Sequence, residues 1–428
     1  SSVTMAQYQN VQEKALMKNT PLEGFVSQQK TLFNFDWKFQ LVTEENKGTN
    51  FAAPALDDSS WRILDLPHDF QFGQPGTKAG GGARGFKPMC EGWYRKSFQA
   101  DPLWKGKRVV MDFGGIIYLG DVYLNGHKIA STDYGYVGIE ADLTPYLHFE
   151  KENIVAVYAS TGPKKGSRWY TGGGLFRDVY LQVQNPTHIA RHGIYITTPE
   201  VVSDKATVAV QVEVDGWQKH DVLVRTTVRN PEGKVVGSAH NTMPKHTQQT
   251  CTELKLPAIT LKNPQLWSCN TPQLYSADVV VVADGMVVDS ITEQFGIRKL
   301  EFSPEFGFKL NGEKIFLQGN ANHHDLGALG AASYDKAIER MMLQLQAFGS
   351  HNPYSDSFAR IADRVGMLIV DELTDKWSDN DYWGGRRPFT QIWSDLIIEW
   401  IKRDRNRPSI ILWSLGNELQ IREGWAGF

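Results

Sequence analysis

Three polar clusters in the last third of the chain carry the side chains that could do chemistry. They are Asn322, His323, His324 and Asp325; then Asp371 and Glu372; then Ser414 onward to Asn417 and Glu418. Each follows a short apolar run. A carboxylate such as Glu418, partly withdrawn from water, can have its pKa raised enough to protonate a leaving oxygen at neutral pH. The Asn417 amide beside it can hydrogen-bond a sugar hydroxyl and orient the ring.

Taken singly, these residues have ordinary explanations. An Asn-Glu pair after a strand is usually a solvated loop. His323 and His324 are adjacent on an extended segment, so they point to opposite faces and make a poor metal pair. His351, Asn352 and Pro353 are most cheaply a turn. The run from Lys402 to Arg407 alternates cation with anion or amide, which reads as a solvated helix end rather than a nucleic-acid patch. What argues for chemistry is recurrence: several clusters fall at the strand ends of one repeating unit.

That unit begins after Phe302. The run Ile315 to Gln318 predicts a strand, and the spacing of Ile338, Met341, Met342 and Leu345 predicts a helix closed by Gly349. Phe358 to Val365 predicts a helix, and Met367 to Val370 a buried strand. Ile392 to Arg403 predicts another helix, and Ser409 to Trp413 another strand. Strands alternating with helices mean a parallel sheet with functional loops at the strand C-termini. About four such units fit before Phe428, which is half of a closed barrel.

Upstream the pattern is all β. From Leu32 to Val183, short alternating runs such as Arg108 to Phe113 and Asp121 to Leu124, the latter followed by Asn125-Gly126, predict an antiparallel sandwich. From Pro186 to Arg298 a second set of strands fits an immunoglobulin-like sandwich of some seven strands, without the Cys-Trp-Cys hallmark. The expected organisation is therefore an N-terminal extension (1–30), a jelly-roll sandwich (31–185), an immunoglobulin-like sandwich (186–300) and the first half of an α/β barrel (301–428).

Composition excludes some partners. The chain has 45 basic and 48 acidic residues among 428, a net charge of -3, so neither nucleic acid nor an anionic membrane is drawn to it in bulk. No apolar run approaches the roughly 20 residues of a spanning helix. The first 30 residues are polar and lack a signal pattern. Three cysteines, Cys90, Cys251 and Cys269, form neither a disulfide framework nor a metal-ligand spacing.

Read together, the clusters resemble glycoside hydrolase family 2, the family of β-galactosidases, β-glucuronidases and β-mannosidases. The resemblance is carried by Phe308 to Gly312, His323 to Gly330, Ser350 to Tyr354, Gly366 to Glu372 with Asp375 to Trp377, and Arg403 to Ser409 running into Trp413 to Glu418. Upstream it is carried by Leu66 to Asp69, Tyr123 to Gly126 and Ser167 to Asp178. It spans nearly the whole chain, with its motifs in order.

The resemblance implies a jelly-roll domain, an immunoglobulin-like domain and a (β/α)₈ TIM barrel. It implies a retaining exo-β-glycosidase whose two carboxylates lie about 5–5.5 Å apart. By position, Glu418 matches the general acid/base and Asn417 the residue that holds the sugar 2-hydroxyl. His323, His351, Asp371 and Trp377 match positions in the sugar pocket. The loop from Ser167 to Arg177 resembles one that reaches from the first domain toward that pocket. The run from His323 to Gly330 leans toward β-galactosidase-like members acting on terminal β-galactosides. A β-glucuronidase is the nearest rival, and a non-catalytic carbohydrate-binding protein is the reading from another class. The expected partner is a carbohydrate, with no cofactor, no nucleic acid and no membrane span. A homo-oligomer stays open, and a periplasmic or extracellular location is favoured over the cytoplasm.

Three departures from the family pattern stand out. The family's nucleophile, a second glutamate after the seventh strand, has no counterpart here. Gly349 joins Ser350 directly where relatives have a further short strand, so the helix is expected to run straight into a catalytic-face loop and break the barrel's alternation. Some relatives also bind magnesium just after the third strand, where this chain has Lys376 and Ser378, which are not ligands for it. No metal is therefore expected. The first two departures suggest missing residues, which an intact mass of 48.2 kDa would refute.

Overall fold

The computed structural model describes residues 29–162, 168–217, 221–245, 251–344, 348–349, 352–375 and 385–417. Two antiparallel sheets open the fold. One has six strands in the spatial order Arg62–Leu64, Trp37–Leu41, Glu91–Phe98, Asn153–Ser160, Leu119–Leu124 and His127–Thr132. The other has four, in the order Gln29–Leu32, Val179–Gln184, Arg108–Phe113 and Ile139–Asp142. Trp37, Tyr94, Met111, Phe113, Val155 and Val157 pack together in one buried core. The hairpin between Leu119–Leu124 and His127–Thr132 turns on Asn125 (φ 52°) and Gly126 (φ 86°). Both central residues of this two-residue turn have positive φ, which matches the twist of the strands it joins.

The second pair of sheets starts at His188–Val202 and ends at Met286–Phe295. Lys205–Asp215 shows why these residues form strands. Ala206, Val208, Val210, Val212 and Val214 are buried, while the residues between them are half-exposed, the period of two of a sheet with one covered face. Each buried valine contributes on the order of 1.5–3 kcal/mol. Eight strands fall in this region among the described residues, one more than the sequence suggests.

The chain then makes a three-stranded antiparallel meander, Leu300–Ser303, Gly307–Leu310 and Glu313–Ile315. This corrects the expected strand at Ile315 to Gln318: Ile315 closes the meander, and Phe316 and Leu317 are exposed. The first parallel strand is instead Asn320–Ala321.

Four parallel strands follow in order: Asn320–Ala321, Phe348–Gly349, Ile369–Glu372 and Ile410–Ser414. Between them lie the helices Asp335–Gln344, Asp356–Val365 and Trp393–Asp404. The expected break at Gly349 is thus corrected. The helix is described over Asp335–Gln344, and Phe348–Gly349 supplies the second strand, paired with both neighbours. The helix Asp356–Val365 has the signals of a well-bounded element. Ser355 caps it by accepting from the Phe358 N–H, and Gly366 ends it in the left-handed conformation.

A second correction concerns the run from Lys402 to Arg407, which is a seam and not a solvated helix end. Lys402 pairs with Glu213 at 2.7 Å. Arg405 donates to the His192 carbonyl, and Asn406 both donates to the Ile194 carbonyl and accepts from the Ile196 N–H. Arg407, 2% exposed, pairs with Asp363 at 3.0 Å and also bonds Glu293. The alternating charges find partners on the second sandwich and on the helix Asp356–Val365, which local sequence cannot show. A third core, in which Tyr118, Tyr134, Tyr136 and Phe176 meet Ala331, Leu373, Phe389 and Trp400, joins the first sandwich to the α/β unit. Among the described residues no helix is long and apolar enough to cross a membrane.

Candidate active site

The ends of the third and fourth parallel strands are fastened together. The Leu373 N–H donates to the Ser414 carbonyl at 2.9 Å, and the Ser414 hydroxyl donates to Glu372 Oε2 at 2.6 Å. Beyond Ser414 the chain stays attached to the third strand's loop. The Asn417 N–H donates to the Thr374 carbonyl at 3.0 Å, and Asn417 Nδ2 donates to Asp375 Oδ1 at 2.7 Å. Glu418, directly after this anchored residue, lies outside the described residues, as do His351 and Trp377. Positions 376 and 378, on which the expectation of no metal rests, lie outside them too.

The first sandwich reaches into the same place. Arg168 Nη2 donates to Asp375 Oδ1 at 3.1 Å. Trp169 stacks on His323, with ring centroids 4.0 Å apart and planes 8° from parallel. Tyr170 donates its hydroxyl to Asp69 Oδ2 at 2.6 Å, and the same oxygen accepts from the Ala331 N–H of the α/β unit at 2.8 Å. Three consecutive residues of one loop thus connect to three different anchors. The glycines after them let the loop lie this close. Gly172 has φ 81°, and a Cβ there would stand 2.5 Å from the Ala331 Cβ. Gly174 has φ 122°, and its Cβ would stand 2.3 Å from the Tyr94 hydroxyl.

His323 and Asn417 therefore both belong to this cluster, each held by a group or a loop that also touches the first sandwich. His324 turns away from its neighbour, as adjacent residues on an extended segment do. It packs against Tyr136 and Tyr354, at ring separations of 4.9 Å and 5.5 Å. Burial, and then the nearby Arg177 guanidinium, hold its pKa well below the usual histidine value, so it is a neutral imidazole.

Asp371 is not brought to Asn417. It is 1% exposed, and its Oδ2 accepts from the Trp400 indole at 2.7 Å, on the helix packed behind the sheet. Burial, and then the neighbouring Asp404, push its carboxyl well above the usual carboxylate range. Its Oδ2 thus serves the strand–helix layer. Along a strand successive side chains alternate between faces, and Asp371 takes the one toward the helix that carries Trp400.

Asp375, Arg168, Trp169 and Tyr170 lie inside motifs quoted from the sequence, yet nothing in their spacing assigned them a role. Their partners are far away in the chain: Arg168 and Asp375 are separated by 207 residues. Asp375 is buried to 7% exposure, and its Oδ2 has no hydrogen-bond partner among the described residues. A cavity of about 360 Å³ lies elsewhere, where the two sandwiches meet the helices, and it contains none of these residues.

Chemically, the cluster combines a flat aromatic–imidazole stack, an anchored amide and a buried carboxylate, immediately before a glutamate in the sequence. Such a set suits a polyhydroxylated ligand, with apolar ring faces against aromatics and hydroxyls against fixed polar groups.

Three models of one family match the chain. The model described as "Glycosyl hydrolase 2 galactose-binding domain-like" matches residues 89–174. "Glycosyl hydrolases family 2" matches 187–298, and "Glycosyl hydrolases family 2, TIM barrel domain" matches 305–426. A β-galactosidase of Bacteroides ovatus is 34% identical over 410 residues, covering 92% of this chain and 47% of its own. A β-glucuronidase of Formosa agariphila is 26% identical over 434 residues, covering 92% of this chain and 43% of its own. A solved family 2 member from Bacteroides cellulosilyticus superposes with a TM-score of 0.84 at 34% identity, covering 91% of this chain and 52% of that one. The chain spans about half the length of the relatives it matches.

Proposed function

Because the chain belongs to glycosyl hydrolase family 2, we propose that it forms the sugar-binding and proton-donating part of a retaining exo-β-glycosidase acting on terminal β-galactosides. The observation that carries this reading is the anchoring of Asn417 by Asp375 and Thr374 at the end of the fourth parallel strand, one residue before Glu418. We read the four strands as the first half of a (β/α)₈ barrel, in which strand C-termini converge on one pocket. Glu418 protonates the glycosidic oxygen as the bond breaks, then takes a proton from the water that releases the sugar. The covalent intermediate between these steps forms on a second carboxylate, a role that no residue of this chain is assigned.

The galactoside preference is supported by the run from His323 to Gly330 and by the name of the Bacteroides ovatus relative. A second reading, hydrolysis of β-glucuronides, is supported by Arg168, a cation beside Asp375 that could face a uronate, and by the name of the Formosa relative.

The test uses protein expressed from the whole reading frame, assayed on nitrophenyl β-galactoside, glucuronide, mannoside and glucoside beside Glu418→Gln. Release from the galactoside, lowered about 100- to 10,000-fold in the variant, is the expected result. A preference for the glucuronide selects the second reading. If both proteins are inactive yet bind sugar equally, the chain belongs to a carbohydrate-binding protein and the catalytic reading falls.

A further inference from the structure

Resting on the glycosidase reading, we infer that Asp375 is a positioning residue: it fixes which end of the Asn417 amide faces the sugar, and Arg168 of the first sandwich holds it to that task. A side-chain amide is nearly symmetric in shape but not in chemistry, since one end donates and the other accepts. An ionised carboxylate can only accept. With Asp375 Oδ1 at 2.7 Å, Asn417 must turn its NH₂ group toward the carboxylate and its carbonyl oxygen away from it. The backbone of Asn417 is tied to the adjacent Thr374, so residues 374 and 375 grip both the main chain and the side chain of one residue. The carbonyl oxygen is thereby left as an oriented acceptor, suited to a hydroxyl that donates.

Arg168 completes the device. Its Nη2 lies 3.1 Å from the same Oδ1 that receives the Asn417 amide. Asp375 is almost wholly buried, and a buried carboxylate without a cation carries a large desolvation cost. Arg168 comes from the first sandwich, so that domain would contribute to the site through a two-bond chain: Arg168 to Asp375, and Asp375 to Asn417. Replacing Asp375 by asparagine keeps the shape but removes the orientation rule, because the new side chain can satisfy either end of the Asn417 amide.

The experiment measures kcat and KM for the full-length protein and for Asp375→Asn, Asn417→Ala, their double variant and Arg168→Ala. Each is assayed on an aryl β-galactoside and on its 2-deoxy counterpart. Asp375→Asn is expected to lower kcat/KM on the 2-hydroxy substrate by about 10- to 100-fold. On the 2-deoxy substrate its loss shrinks to within about threefold, because the hydroxyl that Asn417 serves is gone. The double variant is no worse than the poorer single, as two groups on one pathway require. Arg168→Ala, which leaves both partners in place, shows a smaller loss of about three- to tenfold with the same substrate dependence. A thermal melt of each variant checks folding, and Arg168→Ala decides the matter if Asp375→Asn is unfolded. An equal loss on both substrates, or losses that multiply in the double variant, overturns the inference while leaving the glycosidase reading intact. An Asn417→Ala enzyme as active as wild type overturns the role of Asn417 itself, and the inference with it.

Discussion

Trp169 of the first sandwich lies flat on His323 at the end of the first parallel strand, 4.0 Å from ring centre to ring centre. The Arg168 guanidinium sits 6.0 Å from the Trp169 ring. The stack fixes the imidazole plane, and with it the side chain that follows the first strand. Trp169→Ala should therefore loosen sugar binding more than it weakens the fold. A stack of this kind contributes about 0.5–1.5 kcal/mol beyond area burial, so KM should rise about two- to tenfold with a change of only a few degrees in Tm. Steady-state kinetics beside a thermal melt check it, and an unchanged KM would count against the stack as a binding element.

Gly172→Ala should disturb the same loop from behind. The new methyl meets the Ala331 Cβ at 2.5 Å and Asp69 Oδ2 at 2.8 Å, on a backbone with φ 81°. Conformational strain alone costs on the order of 1–3 kcal/mol, and the clash adds to it. Gly233→Ala is the control: its φ is 80°, but nothing stands within 4 Å. Urea midpoints should show a clearly larger drop for Gly172→Ala, accompanied by weaker sugar binding that Gly233→Ala does not share.

Asp69→Asn tests how the loop is tied down. Asp69 Oδ1 accepts from the N–H groups of Gln71, Phe72 and Gly173, and Oδ2 accepts from the Tyr170 hydroxyl and the Ala331 N–H. An amide turns an NH₂ group toward at least one of these donors and leaves it unsatisfied, at about 1–3 kcal/mol. The expected result is a lower urea midpoint with an unchanged slope. Equal stability of the two proteins would show that the network is not needed.

Acid should destabilise the fold before the carboxylates titrate. Burial, and then Arg62, lower the His68 pKa to about 4; burial, and then Arg191, lower that of His192 to about 3; His324 is also lowered far. Each of these groups is neutral in the folded state and takes up a proton on unfolding once the pH falls below its unfolded value of 6.5. The unfolded chain then binds more protons, so stability rises with pH between about 4 and 6.5, by at most about 1.4 kcal/mol per pH unit for each histidine. Asp371 acts in the opposite direction. Its folded pKa is raised, so its contribution is present in acid and is lost as pH rises through that value. Urea midpoints should therefore fall from pH 6.5 to 5, and Asp371→Asn should steepen that fall by removing the opposing trend. A midpoint that climbs between pH 6.5 and 5 in Asp371→Asn would refute the histidine account.

The sequence by itself determined the kinds of element and their order: two sandwiches of period-two strands, then strands alternating with helices, with the polar clusters at the strand ends. It did so wherever a pattern ran long enough to repeat, as in Lys205–Asp215 or Asp356–Val365. Asn320–Ala321 has two residues and Phe348–Gly349 two described ones, fewer than any period can register, so one was placed too early in the chain and the other was absent from the expected alternation. The family motifs named Asn417 and His323, but not what holds them. Only the tertiary structure decided that Arg168 would reach Asp375, that Trp169 would cover His323, that Arg407 would bury itself against Asp363, and that Asp371 would turn to Trp400. Those partners are 29 to 207 residues apart in the chain, and they meet because sheets and helices bury their apolar faces against one another, a condition that no local spacing records.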